Sequence, residues 1–448
     1  MTELSAVAHR AVEAATGAGA SDAEAYVSRE SGREVRVHSG EVESLTAAVQ
    51  SGVGIRAWVG HRVGYAYGTD LSEAGVAAIA ACAAEAAAVA DEDEFASPPQ
   101  PAEFEALPGL GDPSIAEWET SRVADLAIAV ERTALASDPR LVAVEAAIYA
   151  DADEQVAIAS STGVAGEYET SSCYAYLQAL AEGEGARESG LGFGLARGPR
   201  GLDPEAIGAE GARRALEMIG AGKPASRSCP VVLDETVAAS FVGLIGGGLG
   251  ARAVQRGRSP LAGRLEEEVA SDAFALHDDG RAPEGPDSAP FDAEGVPRRR
   301  TALIEGGRLR AYLYDAYTAN REGGASTGNA ARQGYRSLPS VSASNLIVAP
   351  GDRSLEQLLA AAGDGVYVTE VAGLHSGVNP ISGDFSTGAE GLRIRGGELA
   401  EPVREFTIAS TLQKMLKDVI SVGSDLEWLP MSASGVSLVI DEVTISGV

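Results

Sequence analysis

Residues 373–391 read Gly-Leu-His-Ser-Gly-Val-Asn-Pro-Ile-Ser-Gly-Asp-Phe-Ser-Thr-Gly-Ala-Glu-Gly. Glycines at 373, 377, 383, 388 and 391 let a backbone take positive φ and come close to a ligand. Between them stand His375, Asn379, Ser382, Asp384 and Ser386, hydrogen-bonding side chains with no Lys or Arg among them. A loop of this kind after a strand-like run (366–371) is a common place for a binding surface. Asp384 could bind an amine or, equally, organise its own loop, and a lone histidine such as His375 is more often structural.

Other motifs point to less chemistry. Gly324-Ala325-Ser326-Thr327-Gly328 has the Gly-x-Ser-x-Gly pattern of a nucleophile elbow, but polar residues flank it where a strand and a helix are needed. Gly220-Ala221-Gly222-Lys223 lacks the upstream glycine of a phosphate-binding loop, and Pro224 stands where Ser or Thr belongs. The glycines 246–250 suit close packing. Asp292 and Glu294 form an acidic pair with no partner legible in the sequence, and a structural role near a subunit contact is expected.

The 373–391 run resembles the C-terminal signature of the TldD/TldE (PmbA) family of peptidase subunits. So do Pro290-Phe291-Asp292-Ala293-Glu294-Gly295-Val296, Tyr312-Leu313-Tyr314-Asp315-Ala316-Tyr317-Thr318-Ala319, Thr327-Gly328-Asn329 and, more weakly, Glu405-Phe406-Thr407-Ile408-Ala409. One kind of subunit in that family carries His-Glu-x-x-x-His and a downstream Cys, which bind zinc. Imidazoles and a thiolate hold the ion and the Glu acts as base. This chain has no His-Glu pair, and its last cysteine is Cys229. Aligned by its ends, the matching region 230–259 places Val242, Gly243 and Gly247 about at the motif positions. The resemblance therefore implies the TldE kind, with no metal or catalytic residue of its own and zinc in a TldD-like partner. It implies a complex that degrades or trims peptides, in which this chain contacts substrate through His375, Asn379, Ser382, Asp384, Ser386 and Asn329. Alternatives are a homodimeric or stand-alone enzyme of altered chemistry, or a non-enzymatic partner-binding protein, as an older family label (modulator of DNA gyrase) suggests.

Composition narrows the field. The net charge is −30, from 65 acidic and 35 basic residues, which disfavours a phosphate backbone as partner. Three cysteines fit a reducing compartment rather than a disulfide framework. The most apolar run, 237–251, is too short and glycine-rich to span a bilayer. A cytoplasmic protein without nucleic-acid or membrane partners is expected.

The elements that must position these residues follow from periodicity and punctuation. The expected fold is α+β in two domains, an N-terminal mixed α/β domain (1–222) and a C-terminal mostly-β domain with long loops (223–448). Helices are predicted over 3–16, from Ser72 to about 90, from 114 or 120 to 136, and from Asp203-Pro204 to Gly220. Strand runs are predicted at 24–29, 33–38, 42–49, 53–59, 62–67, 141–149, 155–160 and 167–181. Gly306-Gly307 and Gly396-Gly397 mark hairpin turns, and Ser354 with Gln357 a capping box. Residues 91–113, 271–297 and 319–344 read as long loops, and no internal repeat is evident.

Overall fold

The structure, a computed structural model, describes residues 3–431 and 433–448. It is α+β with strands dominant. The first half builds one six-stranded antiparallel sheet in the order Arg62–Gly68, Glu41–Val59, Asp22–His38, Leu141–Ser160, Ala165–Gly183, Ala186–Ala196. Glu3–Gly17 and Glu73–Val89 cover one half of one face, and Thr120–Ser137 and Pro204–Glu217 the other half. A helix, three strands and a helix therefore occur twice, joined where Asp22–His38 pairs with Leu141–Ser160. This duplication of structure was not evident in the sequence.

Several strand runs merge. The runs at 24–29 and 33–38 are one strand, since Gly32 pairs with both Ala48 and Ala152. A Cβ at Gly32 would stand 3.1 Å from the Asp151 carbonyl, so this glycine lets three strands lie close instead of ending one. The strand Ala186–Ala196 was not anticipated. Its Gly190 and Gly192 bring it against Pro204–Glu217, where a Cβ would meet helix backbone at 2.2 and 2.0 Å.

The caps and turns follow the local signals. Ser72 accepts from Gly75 N–H, Asp203 accepts from Glu205 and Ala206 N–H, and Ser354 and Gln357 form the reciprocal capping box. Both Gly-Gly turns have two positive φ values, as a type I′ hairpin requires.

The second half folds around Arg227–Leu233. Its main sheet runs Glu398–Thr411, Asp384–Arg395, Val366–Ala372, Arg227–Leu233, Leu438–Ser446, Val419–Val422. Glu398–Thr411 also pairs with Leu438–Ser446, so five strands close on themselves around an apolar core. The apolar run read as too short for a membrane is the helix Glu235–Leu249, which packs on that core. At Gly246 a Cβ would lie 2.2 Å from Leu346, so the glycine serves packing. Among the described residues no helix is long and apolar enough to cross a membrane.

The halves are fastened by a buried ionic network. Arg56 donates to Glu24 at 2.6 Å and pairs with Glu294 at 2.8 Å, while Arg332 also binds Glu24. Burial opposes the charge on Glu24, yet the two guanidiniums hold its carboxyl below the ordinary range. Asp292 accepts backbone N–H groups of Glu294, Val296 and Ala330, and Glu294 that of Ala316. The acidic pair thus has partners after all, contributed by distant parts of the same chain. One other motif resolves as structural: Ser326 follows the helix Ala316–Arg321 and donates to the Tyr314 carbonyl, which is no nucleophile elbow.

One strand contact makes stability depend on pH. Glu154 lies directly opposite Glu30, and burial with that neighbour pushes its carboxyl from 4.5 up to about 7. Between these values the folded chain holds a proton that the unfolded chain has released. Its contribution therefore weakens stability as pH rises through that window. Glu154→Gln should remove the loss, gaining on the order of 1 kcal/mol over the parent at pH 8 and little at pH 5. Denaturant midpoints at the two values check this, and an equal effect at both would contradict it.

Candidate functional site

The glycine-rich run is shorter as a loop than the sequence suggests. Val366–Ala372 leads into the short helix Leu374–Gly377, and the strand Asp384–Arg395 begins inside the run. His375, Asn379, Ser382, Asp384 and Ser386 are brought together on this connection, and all five are exposed in the isolated chain. Asn379 accepts from the N–H groups of Ile381 and Ser382, and Ser382 donates to Asp384 at 2.6 Å. Several glycines have an internal reason. A Cβ at Gly377, Gly383 or Gly391 would lie 2.1 Å or less from the Ser386 carbonyl, the Gln413 side chain and the Tyr367 carbonyl respectively. They permit this hairpin's own packing, so their number is not in itself a sign of a ligand.

Asn329 has a different setting. It is buried, donates to Asp278 at 2.7 Å and to the Ser342 carbonyl, and accepts from Thr327. Asp278 also accepts from Ser344 N–H and its hydroxyl. Asn329 is thus a hub that holds two chain crossings, and among the described residues no hydrogen bond joins it to the 373–383 connection.

Next to that connection runs the helix Glu235–Leu249. Its N-cap is Asp234, fully buried, which accepts from Val237 N–H at 2.7 Å. Arg214 donates to Asp234 at 2.9 Å and to Glu235 at 2.6 Å, tying this helix to Pro204–Glu217. Burial, with Glu235 nearby, pushes the Asp234 carboxyl up to about 7 despite that guanidinium. Thr236, Ser240, Gly243 and Gly247 recur at helical spacing on the less buried side. A Cβ built on Gly243 or Gly247 meets nothing within 4 Å, whereas Val242 is fully buried. The far end of the helix meets the connection, where Leu244 and Gly248 share a small pocket with Pro380 and Gln413.

The near end opens into a cleft of about 840 Å³, which sequence reasoning missed. One wall is the edge strand Ala186–Ala196 with the helix Pro204–Glu217. The other is Glu235–Ser240 of the next helix and the strands carrying Glu370 and Glu390. Among the described residues no strand pairs with the outer edge of Ala186–Ala196. That edge offers unpaired N–H and C=O groups to an extended chain, a ready template for strand addition. Leu191 is exposed on it, and Phe193 stacks with Tyr174 at 6.2 Å. The cleft was illegible in the sequence because its walls come from segments far apart along the chain.

These residues do not fit a zinc ion. The positions aligned with the family's motif offer no nitrogen, sulfur or carboxylate ligand, and the open helix face carries only hydroxyls and glycines. Among the described residues no group of three or more His, Cys, Asp or Glu is placed to hold a metal.

Comparison with known proteins agrees with the motif resemblance. Residues 23–90, 113–219 and 226–447 match, in order, the families described as PmbA/TldA metallopeptidase domain 1, central domain and C-terminal domain. The metalloprotease PmbA of Escherichia coli O157:H7 is 30% identical over 438 residues, covering 96% of this chain and 93% of that one. A PmbA homolog from Haemophilus influenzae is 29% identical over 99% of this chain and 96% of its own. A Thermotoga maritima structure described as a modulator of a DNA gyrase superposes with a TM-score of 0.90 at 26% identity, covering 98% of this chain and 99% of that one. TldE from Thermococcus kodakarensis gives 0.92 at 22% identity, over 98% and 100%, a likeness of fold. With residues 226–447 and most of what precedes them accounted for, this protein belongs to the PmbA/TldD metallopeptidase family.

Proposed function

We propose that this chain is the non-catalytic, TldE-like subunit of a zinc metallopeptidase pair, and that it holds peptide substrate for a TldD-like partner. The observation that carries this reading is the helix Glu235–Leu249, whose open face presents Thr236, Ser240, Gly243 and Gly247 and no metal ligand. The free edge of Ala186–Ala196 beside an 840 Å³ cleft supports the peptide-holding role. Strand addition binds through main-chain groups, so it suits unfolded or modified peptides of varied sequence. The five residues of the 373–386 connection would complete the peptide path from the far end of the helix. Asn329 acts instead as a structural residue. Three cysteines without a disulfide suit a cytoplasmic setting.

Co-expression with a TldD-like chain from the same genome tests the pairing. The expected result is a stable complex with an interface above about 2,000 Å², in the obligate range. A chain that ignores this partner and hydrolyses peptides alone would instead favour the homodimeric or stand-alone enzyme.

A further inference from the structure

The cleft has an electrostatic feature that the peptide-holding reading does not require. Glu370 and Glu390 face each other directly across the antiparallel pair Val366–Ala372 and Asp384–Arg395, and both line the cleft. Like charges in that position destabilise a sheet. Glu427 lines the same space. Other cleft carboxylates are neutralised within the chain: Arg213 and Arg214 between them bind Glu210, Glu217 and Glu235. Glu370, Glu390 and Glu427 have no side-chain hydrogen bond or ion pair among the described residues. The guanidinium acting on Glu390, that of Arg404, is already bound to Glu188 at 2.5 Å. Half-burial and the facing carboxylate push Glu390 upward, as expected of negative charge left without a counter-ion.

We infer that the cleft selects peptides carrying a lysine or arginine side chain, or a free amino terminus, seated between Glu370 and Glu390. The inference rests on the strand-addition reading and adds the chemical class of the substrate to it. A peptide lying along Ala186–Ala196 has alternate side chains turned to opposite faces. A cationic side chain reaching the Glu370–Glu390 pair would relieve the repulsion there and complete a charge-assisted contact in a partly desolvated cleft.

The test uses the full-length chain and fluorescence anisotropy with three unstructured peptides of equal length and apolar content, bearing lysines, no charge, or glutamates. The lysine peptide should bind about ten-fold more tightly than the neutral one at low salt, with the preference shrinking as salt rises. The variant Glu370→Gln/Glu390→Gln should lose most of that preference and keep its affinity for the neutral peptide. Because the whole molecule is strongly acidic, a control with the same charge change on remote helices, Glu13→Gln/Glu85→Gln, should keep the preference. Equal loss in both variants, or an unchanged preference in the cleft variant, would overturn the inference and leave strand addition standing. If not even the neutral peptide binds, the peptide-holding reading falls, and this inference with it.

Discussion

Replacing Arg56 by methionine should destabilise the chain by about 3–5 kcal/mol, the cost of leaving a buried carboxylate without a counter-ion. Glu24 is 1% exposed and Glu294 1%, and Arg56 is the residue that reaches both. Methionine fills part of the guanidinium's volume but leaves Glu294 with no counter-ion in a dry site and Glu24 with Arg332 alone. Against a total stability of about 5–15 kcal/mol, that loss is large. Because the network joins strands of the first sheet to the 292–294 and 332 crossings, proteolysis should begin in those crossings. Changing Glu294 alone to glutamine in the same background should recover much of the loss, because Glu24 keeps Arg332 as its partner. If the single substitution shifts the urea midpoint by less than a surface change does, the network is not what fastens the halves.

Replacing Asp384 by alanine should lower peptide turnover by the assembled complex roughly five- to thirty-fold, the loss of one or two substrate hydrogen bonds of about 1 kcal/mol each. Asp384 is exposed, and its one side-chain donor among the described residues is Ser382, from the adjacent turn. Its carboxylate has acceptor capacity left over for a ligand. The rival account makes the Ser382 contact the whole of its role, as a staple for the turn. On that account turnover per intact complex stays constant while melting temperature and assembly decline. Measuring turnover and melting on one preparation separates the two.

Much of the fold was legible where its determinants are local. Ser72, Asp203-Pro204, the Ser354–Gln357 box and the two Gly-Gly turns each act through neighbours within a few residues. What the sequence hid is what depends on distant backbone. Gly32 reads as a strand break but lies where three strands approach, and Gly190 and Gly192, in a stretch without a legible pattern, seat a helix. The candidate site shows the same division. The 373–386 residues stand out in the sequence and do lie together. The cleft does not stand out: the pairing of Glu370 with Glu390 depends on a register shift after Val368 that no local pattern encodes. Asn329 shared a motif with the family, yet its polar groups are consumed by Asp278, Ser342 and Thr327.

The central claim is that this chain holds peptide while the metal chemistry belongs to its partner. Elemental analysis and peptide hydrolysis, run on the purified chain alone and on the assembled pair, test it most directly. The account predicts no stoichiometric zinc and no hydrolysis for the chain alone, with both appearing in the pair. About one tightly held zinc per chain, or metal-dependent hydrolysis without a partner, would contradict it.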